Sequence, residues 1–159
     1  MISMPKALHI PLAISLALLF AACDENRLYE EYKAIPGKTW DRNNKISFET
    51  NIEDTAQVYN VYINVRHTGD YAYSNLYIFL TTTFPDGTQV RDTLNCTLQD
   101  ETGRWMGEGL GDLWDNHIVF KPLVKFSRRG KYVFEYEQAM RQEKLEGIAD
   151  VGLRIEKAR

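Results

Sequence analysis

From Ile46 onward the chain alternates between apolar and polar positions with a period of two. "ISFETNI" places Ile46, Phe48 and Ile52 on one face and Ser47, Glu49 and Asn51 on the other. "YNVYINVR" sets Tyr59, Val61, Ile63 and Val65 against Asn60, Tyr62, Asn64 and Arg66. Alternation this strict predicts half-buried strands. "LYIFLTTTF", residues 76–84, begins apolar on both faces, which suits a central strand. In the following "PDGT", proline presets the first bend and Gly87 supplies an unusual backbone angle. Residues 76–84 and 89–98 are therefore expected to form a hairpin.

Further along, "QDETGRWMGEGLGD" crowds four glycines around Trp105, the mark of a bulged strand or of tight turns. "IVFKPLVKF" alternates through Ile118, Phe120, Val124 and Phe126, and Pro122 places it at a sheet edge or a bulge. "GKYVFEYEQAM" turns Tyr132, Phe134 and Tyr136 inward. "MRQEKLEG" reads as a polar connection, and "ADVGLRIEK" closes with Val151, Leu153 and Ile155 inward. The expectation is an all-β domain over residues 45–159. It is an antiparallel β-sandwich of about eight strands, in immunoglobulin-like or jelly-roll order. Phe48, Val61, Ile63, Phe120, Phe134, Leu153 and Ile155 are expected in its core. Nine Tyr and three Trp agree with this, because such rings suit pleated, half-buried surfaces.

The N-terminus has a different pattern. Residues 1–9 carry Lys6 and no acid, and residues 10–20 are apolar apart from Pro11 and Ser15. "LFAAC" follows. This is the layout of a secretory signal, and its apolar run is short for a membrane span, which needs about 20 residues. Leu19-Phe20-Ala21-Ala22-Cys23 resembles a bacterial lipobox, although Phe20 stands where leucine is usual. Residues 1–22 are therefore read as a lipoprotein signal peptide, Cys23 as the acylated first residue of the mature chain, and residues 23–44 as a lipidated tether. Leu28, Tyr29, Tyr32, Ile35 and Trp40 would dock this tether onto the domain, and "LYEEYK" would form at most a short helix. Removing residues 1–22 leaves 137 of 159 residues and takes the net charge from −3 to −4. The second cysteine, Cys96, is either a buried free thiol acting as a small hydrophobe or, if Cys23 carries no lipid, its disulfide partner.

The chemistry that this chain offers is sparse. A net charge of −3 leaves no electrostatic footprint for nucleic acid, and "RRGK", residues 128–131, reads as a solvated turn. His67 and His117 have no second ligand at metal spacing and read as surface turn residues. There is no Gly-x-Ser-x-Gly, and none of Asp100, Glu101, Glu108 and Asp112 is marked out as a catalytic pair or a calcium loop. The expectation is a non-enzyme without cofactor or metal. Tyr71 and Tyr73 in "GDYAYSN", with Trp105 and Trp114, fall in loops or at strand ends. There they would anchor a protein partner, stack on a sugar, or plug the ends of the sandwich.

"EEYKAIPGKTW", "FPDGTQVRDTL", "GRWMGEGLGD", "QAMR" and "LEGIADVGLRIEK" follow one another in that order. Taken together after a lipoprotein signal, they resemble the gliding-motility lipoprotein GldH family of Bacteroidetes across residues 28–157. The resemblance implies a lipid-anchored protein of the cell envelope, and the outer membrane is the expected location. It implies association with the gliding-motility and type IX secretion machinery, or with a related assembly in species that do not glide. It offers no catalytic residue, and its one matched functional position is the acylated cysteine, Cys23. A surface carbohydrate-binding sandwich is the competing expectation.

Overall fold

The computed structural model describes residues 25–159, so the signal segment and Cys23 lie outside the described residues. Among the described residues there are eleven strands: β1 (Arg27–Ala34), β2 (Thr39–Asp41), β3 (Ile46–Ile52), β4 (Tyr59–Thr68), β5 (Asn75–Thr83), β6 (Gln89–Thr97), β7 (Glu108–Leu110), β8 (Leu113–Val124), β9 (Gly130–Gln138), β10 (Lys144–Glu146) and β11 (Ile148–Lys157). A five-stranded sheet, β1-β11-β4-β8-β7, faces a four-stranded sheet, β3-β9-β5-β6, and β10 pairs with β2 as a separate ribbon. Every pairing is antiparallel.

Without the three-residue strands β2, β7 and β10, eight remain. Counted in chain order, the first, eighth, third and sixth form one sheet and the second, seventh, fourth and fifth the other. That is the jelly-roll order, so of the two arrangements expected the immunoglobulin-like one is set aside.

The alternation explains the strands. Ile46, Phe48, Ile52, Val61, Ile63, Val65, Phe134, Val151, Leu153 and Ile155 all point between the sheets and are buried. Phe48 packs on Tyr136 with ring centroids 5.1 Å apart, and the Tyr136 hydroxyl donates across the core to the Gly152 carbonyl at 3.1 Å. Deleting a buried Phe ring from such a core costs about 3–5 kcal/mol. The β5–β6 hairpin closes through the predicted turn, with Gly87 at φ 83 and its N–H donating to Phe84 O at 2.9 Å.

Four expectations need correction. The segment read as a tether is built into the fold from Arg27 on. "LYEEYK" is part of strand β1, paired along β11, and Trp40 of β2 is fully buried with its Nε1–H on Asn44 O at 2.9 Å. "MRQEKLEG" contains β10, whose Leu145 is buried. Phe120 is only half-buried: β7 covers β8 as far as Asp115, and beyond that point β8 is a free edge whose register with β4 slips around Val61. Pro122 sits on this edge, where a missing N–H does no harm. Finally, His67 is a buried residue of β4, and the exposed His117 lies within β8, so neither occupies a turn.

Both ends of the sandwich are closed by rings. At the entry end, where β1 begins, Tyr59, Phe84, Phe126 and Tyr132 pack edge to face at centroid distances of 4.9–5.6 Å. The hydroxyls of Tyr59 and Tyr132 donate to the loop carbonyls of Asp54 and Arg128, at 3.1 and 3.0 Å. The opposite, far end carries the loops around residues 69–74 and 98–107, the turn at 111–112 and the β2–β10 ribbon.

Candidate functional site

The four aromatics singled out from the sequence all lie at the far end, and the structure brings three of them together. Tyr71, Tyr73 and Trp105 gather around His67. The imidazole is 4.4 Å from the Trp105 ring and 5.7 Å from that of Tyr71, and Tyr71 meets Tyr73 edge-on at 5.7 Å. Tyr71 is buried, and its hydroxyl donates to Asn75 O at 3.0 Å. Burial pushes its phenol pKa upward, with the neighbouring Tyr73 adding to the effect. Tyr71 therefore ties down its loop instead of presenting a ring to solvent. Tyr73 and Trp105 are half-buried against the core. The rings are mutually tilted by 46–71° and so form no flat platform for a sugar.

His67 is the one chemically unusual group here. Its Nδ1 lies 2.8 Å from Thr68 O, an acceptor only, so Nδ1 carries the hydrogen. Nε2 is then a bare lone pair, buried and without a hydrogen-bond partner among the described residues. Burial lowers the pKa of His67, and the imidazole is neutral.

Trp114 stands apart from this cluster, although it is the register partner of His67 on β8. With Lys38, Asp70, Asp112 and Glu146 it lines an open cleft of about 770 Å³ on the far end. Trp114 is half-exposed and Lys38 reaches Asp112 across the cleft at 3.8 Å. Elsewhere, Tyr73, Tyr77 and Met140 line a second, more apolar cleft of about 420 Å³.

The carboxylates considered for catalysis or calcium do not assemble. Asp100 is occupied in its own turn. Its Oδ1 accepts from Thr102 Oγ1 at 2.6 Å and from the backbone N–H groups of Thr102 and Arg104, which lowers its pKa to about 2. Among the described residues no group of three or more His, Cys, Asp or Glu side chains is placed to hold a metal. Cys96 is fully buried, and burial alone pushes its thiol up to about 12, so it remains protonated and inert.

Sequence reasoning missed a polar network on the outer face of the five-stranded sheet. The Arg66 guanidinium lies 3.7 Å over the Tyr32 ring, and its Nε–H reaches Asp115 Oδ2 at 3.0 Å. The Tyr32 hydroxyl donates to the same carboxylate at 3.2 Å. Arg154 bridges Glu30 and Glu156, at 3.4 and 2.7 Å. Asn64, fully buried beneath them, donates to Glu30 and meets Nδ1 of His117 at 2.9 Å. Gly152 makes the network possible. A Cβ there would sit 2.8 Å from Glu31 O and 3.1 Å from Tyr32 Cδ1, so only glycine lets Tyr32 lie across the sheet. Polar outward positions on β4 and β11 hinted at such a face, but Glu30 and Tyr32 come from β1 and Asp115 from β8.

The fold defines a class: a small jelly-roll domain closed at both ends by packed aromatic rings. The family model described as GldH lipoprotein matches residues 27–155, from the first residue of β1 almost to the end of β11. The chain belongs to the GldH lipoprotein family. It is 38% identical over 162 residues to the gliding motility lipoprotein GldH homolog of Christiangramia forsetii, covering 98% of this chain and 99% of that protein. The gliding motility lipoprotein GldH of Flavobacterium johnsoniae is 34% identical over 147 residues, covering 88% and 91%. Among solved structures, the infectious bursal disease virus VP2 subviral particle aligns with a TM-score of 0.40 and 16% identity. The match covers 83% of this chain but only 32% of the viral one. The Drosophila NLP-core aligns with a TM-score of 0.30 and 16% identity, covering 82% and 98%.

Proposed function

We propose that this protein is a lipid-anchored interaction component of the bacterial envelope, serving the gliding-motility and type IX secretion machinery or a related envelope assembly. The observation that carries the reading is the family match, which begins at Arg27, four residues after the lipobox cysteine. The names of its relatives supply the motility context. In this reading Cys23 is the acylated first residue, the outer membrane holds the lipid, and the domain works by docking and not by turnover.

The docking surface is the far end, where Tyr73 and Trp114 keep part of their rings exposed beside the two clefts. Loop aromatics of this kind give binding energy at small entropic cost. Tyr71 supports that surface from beneath. The test is co-purification of motility and secretion components with the lipidated protein from detergent-solubilised membranes, repeated with Tyr73→Ala and Trp114→Ala. Loss of a defined component in folded variants is the expected result. A Cys23→Ala chain should lose acyl labelling and remain as an uncleaved precursor. If no envelope protein co-purifies and the domain retains a defined glycan instead, the docking reading falls.

A further inference from the structure

Residues 121–131, "KPLVKFSRRGK", carry five cations and no carboxylate. They leave β8 at the entry end and cross to β9 in the other sheet. Leu123, in their midst, is 69% exposed, more than any other large apolar side chain among the described residues. It also holds a positive φ of 51, a backbone state that a leucine enters only under strain. Its N–H donates to Asn60 Oδ1 at 2.9 Å, which fixes the kink. A conformation that costs stability in order to expose an apolar side chain points to a role outside the fold. Directly behind it an apolar slot of about 170 Å³, lined by Phe84, Phe120, Val124 and Phe126, opens between the sheets.

The position of this loop says what it faces. Asn26, Lys157, Tyr59 and Val124 form the last row across the sheet: Lys157 N donates to Asn26 O at 2.7 Å, Lys157 pairs with Tyr59, and Tyr59 with Val124. The chain thus enters the domain at the end from which the basic loop projects. Four residue steps separate Cys23 from Arg27 and span at most about 14 Å, however they run. A lipid on Cys23 would therefore hold this end within reach of the head groups.

The charges fit such a surface. Lys125 and Arg129 make no ion pair among the described residues, and the pairs Lys121–Asp92 and Lys131–Glu49 are exposed. The neighbouring acids are engaged, one of them by Arg128 of the loop itself. Asp54 accepts from the backbone of Ala56 and Gln57, and Asp86 from Thr88 and Arg128.

We propose that residues 121–131 rest on the leaflet that anchors the chain, with Leu123 entering the acyl boundary and Lys125 and Arg129 on acidic head groups. This inference rests on the acylation of Cys23. The test uses the full lipidated protein in vesicles of equal parts phosphatidylethanolamine and phosphatidylglycerol. An environment-sensitive dye is attached through Leu123→Cys, or through Asp112→Cys at the far end as the control; Cys96 is buried and does not label. The dye at position 123 should shift to the blue and be quenched several-fold more by lipid-borne quenchers than the dye at 112. Reversing Lys125 and Arg129 to Glu, or using phosphatidylcholine alone, should remove most of that difference. If the protein floats with the vesicles while both dyes stay equally open to an aqueous quencher, the inference is overturned and the anchor stands. If the protein does not float, the anchor itself falls, and the inference with it.

Discussion

The two ends of the sandwich are closed by the same device and finished differently. Each has a plug of packed rings pinned by tyrosine hydroxyls on backbone carbonyls, two at the entry end and that of Tyr71 at the far end: Tyr59, Phe84, Phe126 and Tyr132 at the entry end, Tyr71, Tyr73 and Trp105 around His67 at the far end. Outside the entry plug lie cations and an exposed leucine. Outside the far plug lie clefts walled by half-exposed rings and carboxylates. The lesson is that aromatic content does not separate a binding end from a structural one. What separates them is whatever stands beyond the plug.

Mutation can break this comparison, and the largest expected effect is on the plugs themselves. Phe126→Ala removes a buried ring and should cost about 3–5 kcal/mol of unfolding free energy. Trp105→Ala, at a half-buried ring, should cost clearly less. Equal losses in urea titrations would mean that the far plug is as deeply structural as the entry plug. Next comes Trp114→Ala, expected to leave stability within about 0.5 kcal/mol but to weaken partner binding by about 2 kcal/mol, roughly thirtyfold. Unchanged affinity would remove the far cleft from the docking surface.

A smaller effect, of opposite sign, belongs to the entry end. Leu123→Gly relieves a strained backbone and should stabilise the isolated fold by about 0.5–1 kcal/mol, read as a rise in Tm. A fall in Tm would show that the leucine is packed and not displayed. The subtlest prediction is a pH effect confined to the far end. The folded-state pKa of His67 is lowered by burial, so its contribution is complete above the ordinary histidine value of about 6.5 and is lost as the pH falls below it. Amide protection factors, corrected for the intrinsic pH dependence of exchange, should therefore fall on acidification at residues 68–75 and 98–107, while those of residues 123–130 are unmoved. His67→Phe should abolish the difference.

Much of the fold was legible because its inner faces are consistently apolar. β3, β4 and β9 alternate, and β11 does so from Ala149 on, after a bulge at its start. β1 was not legible: "RLYEEYKA" sets Glu30 and Tyr32 on one side and Tyr29, Glu31 and Lys33 on the other, so neither face is oily. Its partner β11 lies more than a hundred residues away, and the acid–base pairs that hold its outer face appear only after that pairing. Strands β2 and β10 are three residues long, too short to show a period; each contributes one buried side chain, Trp40 and Leu145. The far-end aromatics were located correctly, because glycine and aspartate around Tyr71 mark a loop. Their exposure was not legible, since the loop folds back and Tyr71 turns inward.

The place of β11 has a consequence for how the protein is made. This strand, the last in the described chain, is not an edge: it lies between β1 and β4 and joins the first strand to the rest of its sheet. During synthesis or passage across a membrane, β1 has nowhere to pair until residues 148–157 have emerged. Such distant pairing makes closure slow and late. A chain still threading through a translocation channel is thus kept from locking prematurely, and one cut short before residue 148 should be an open, protease-sensitive remnant.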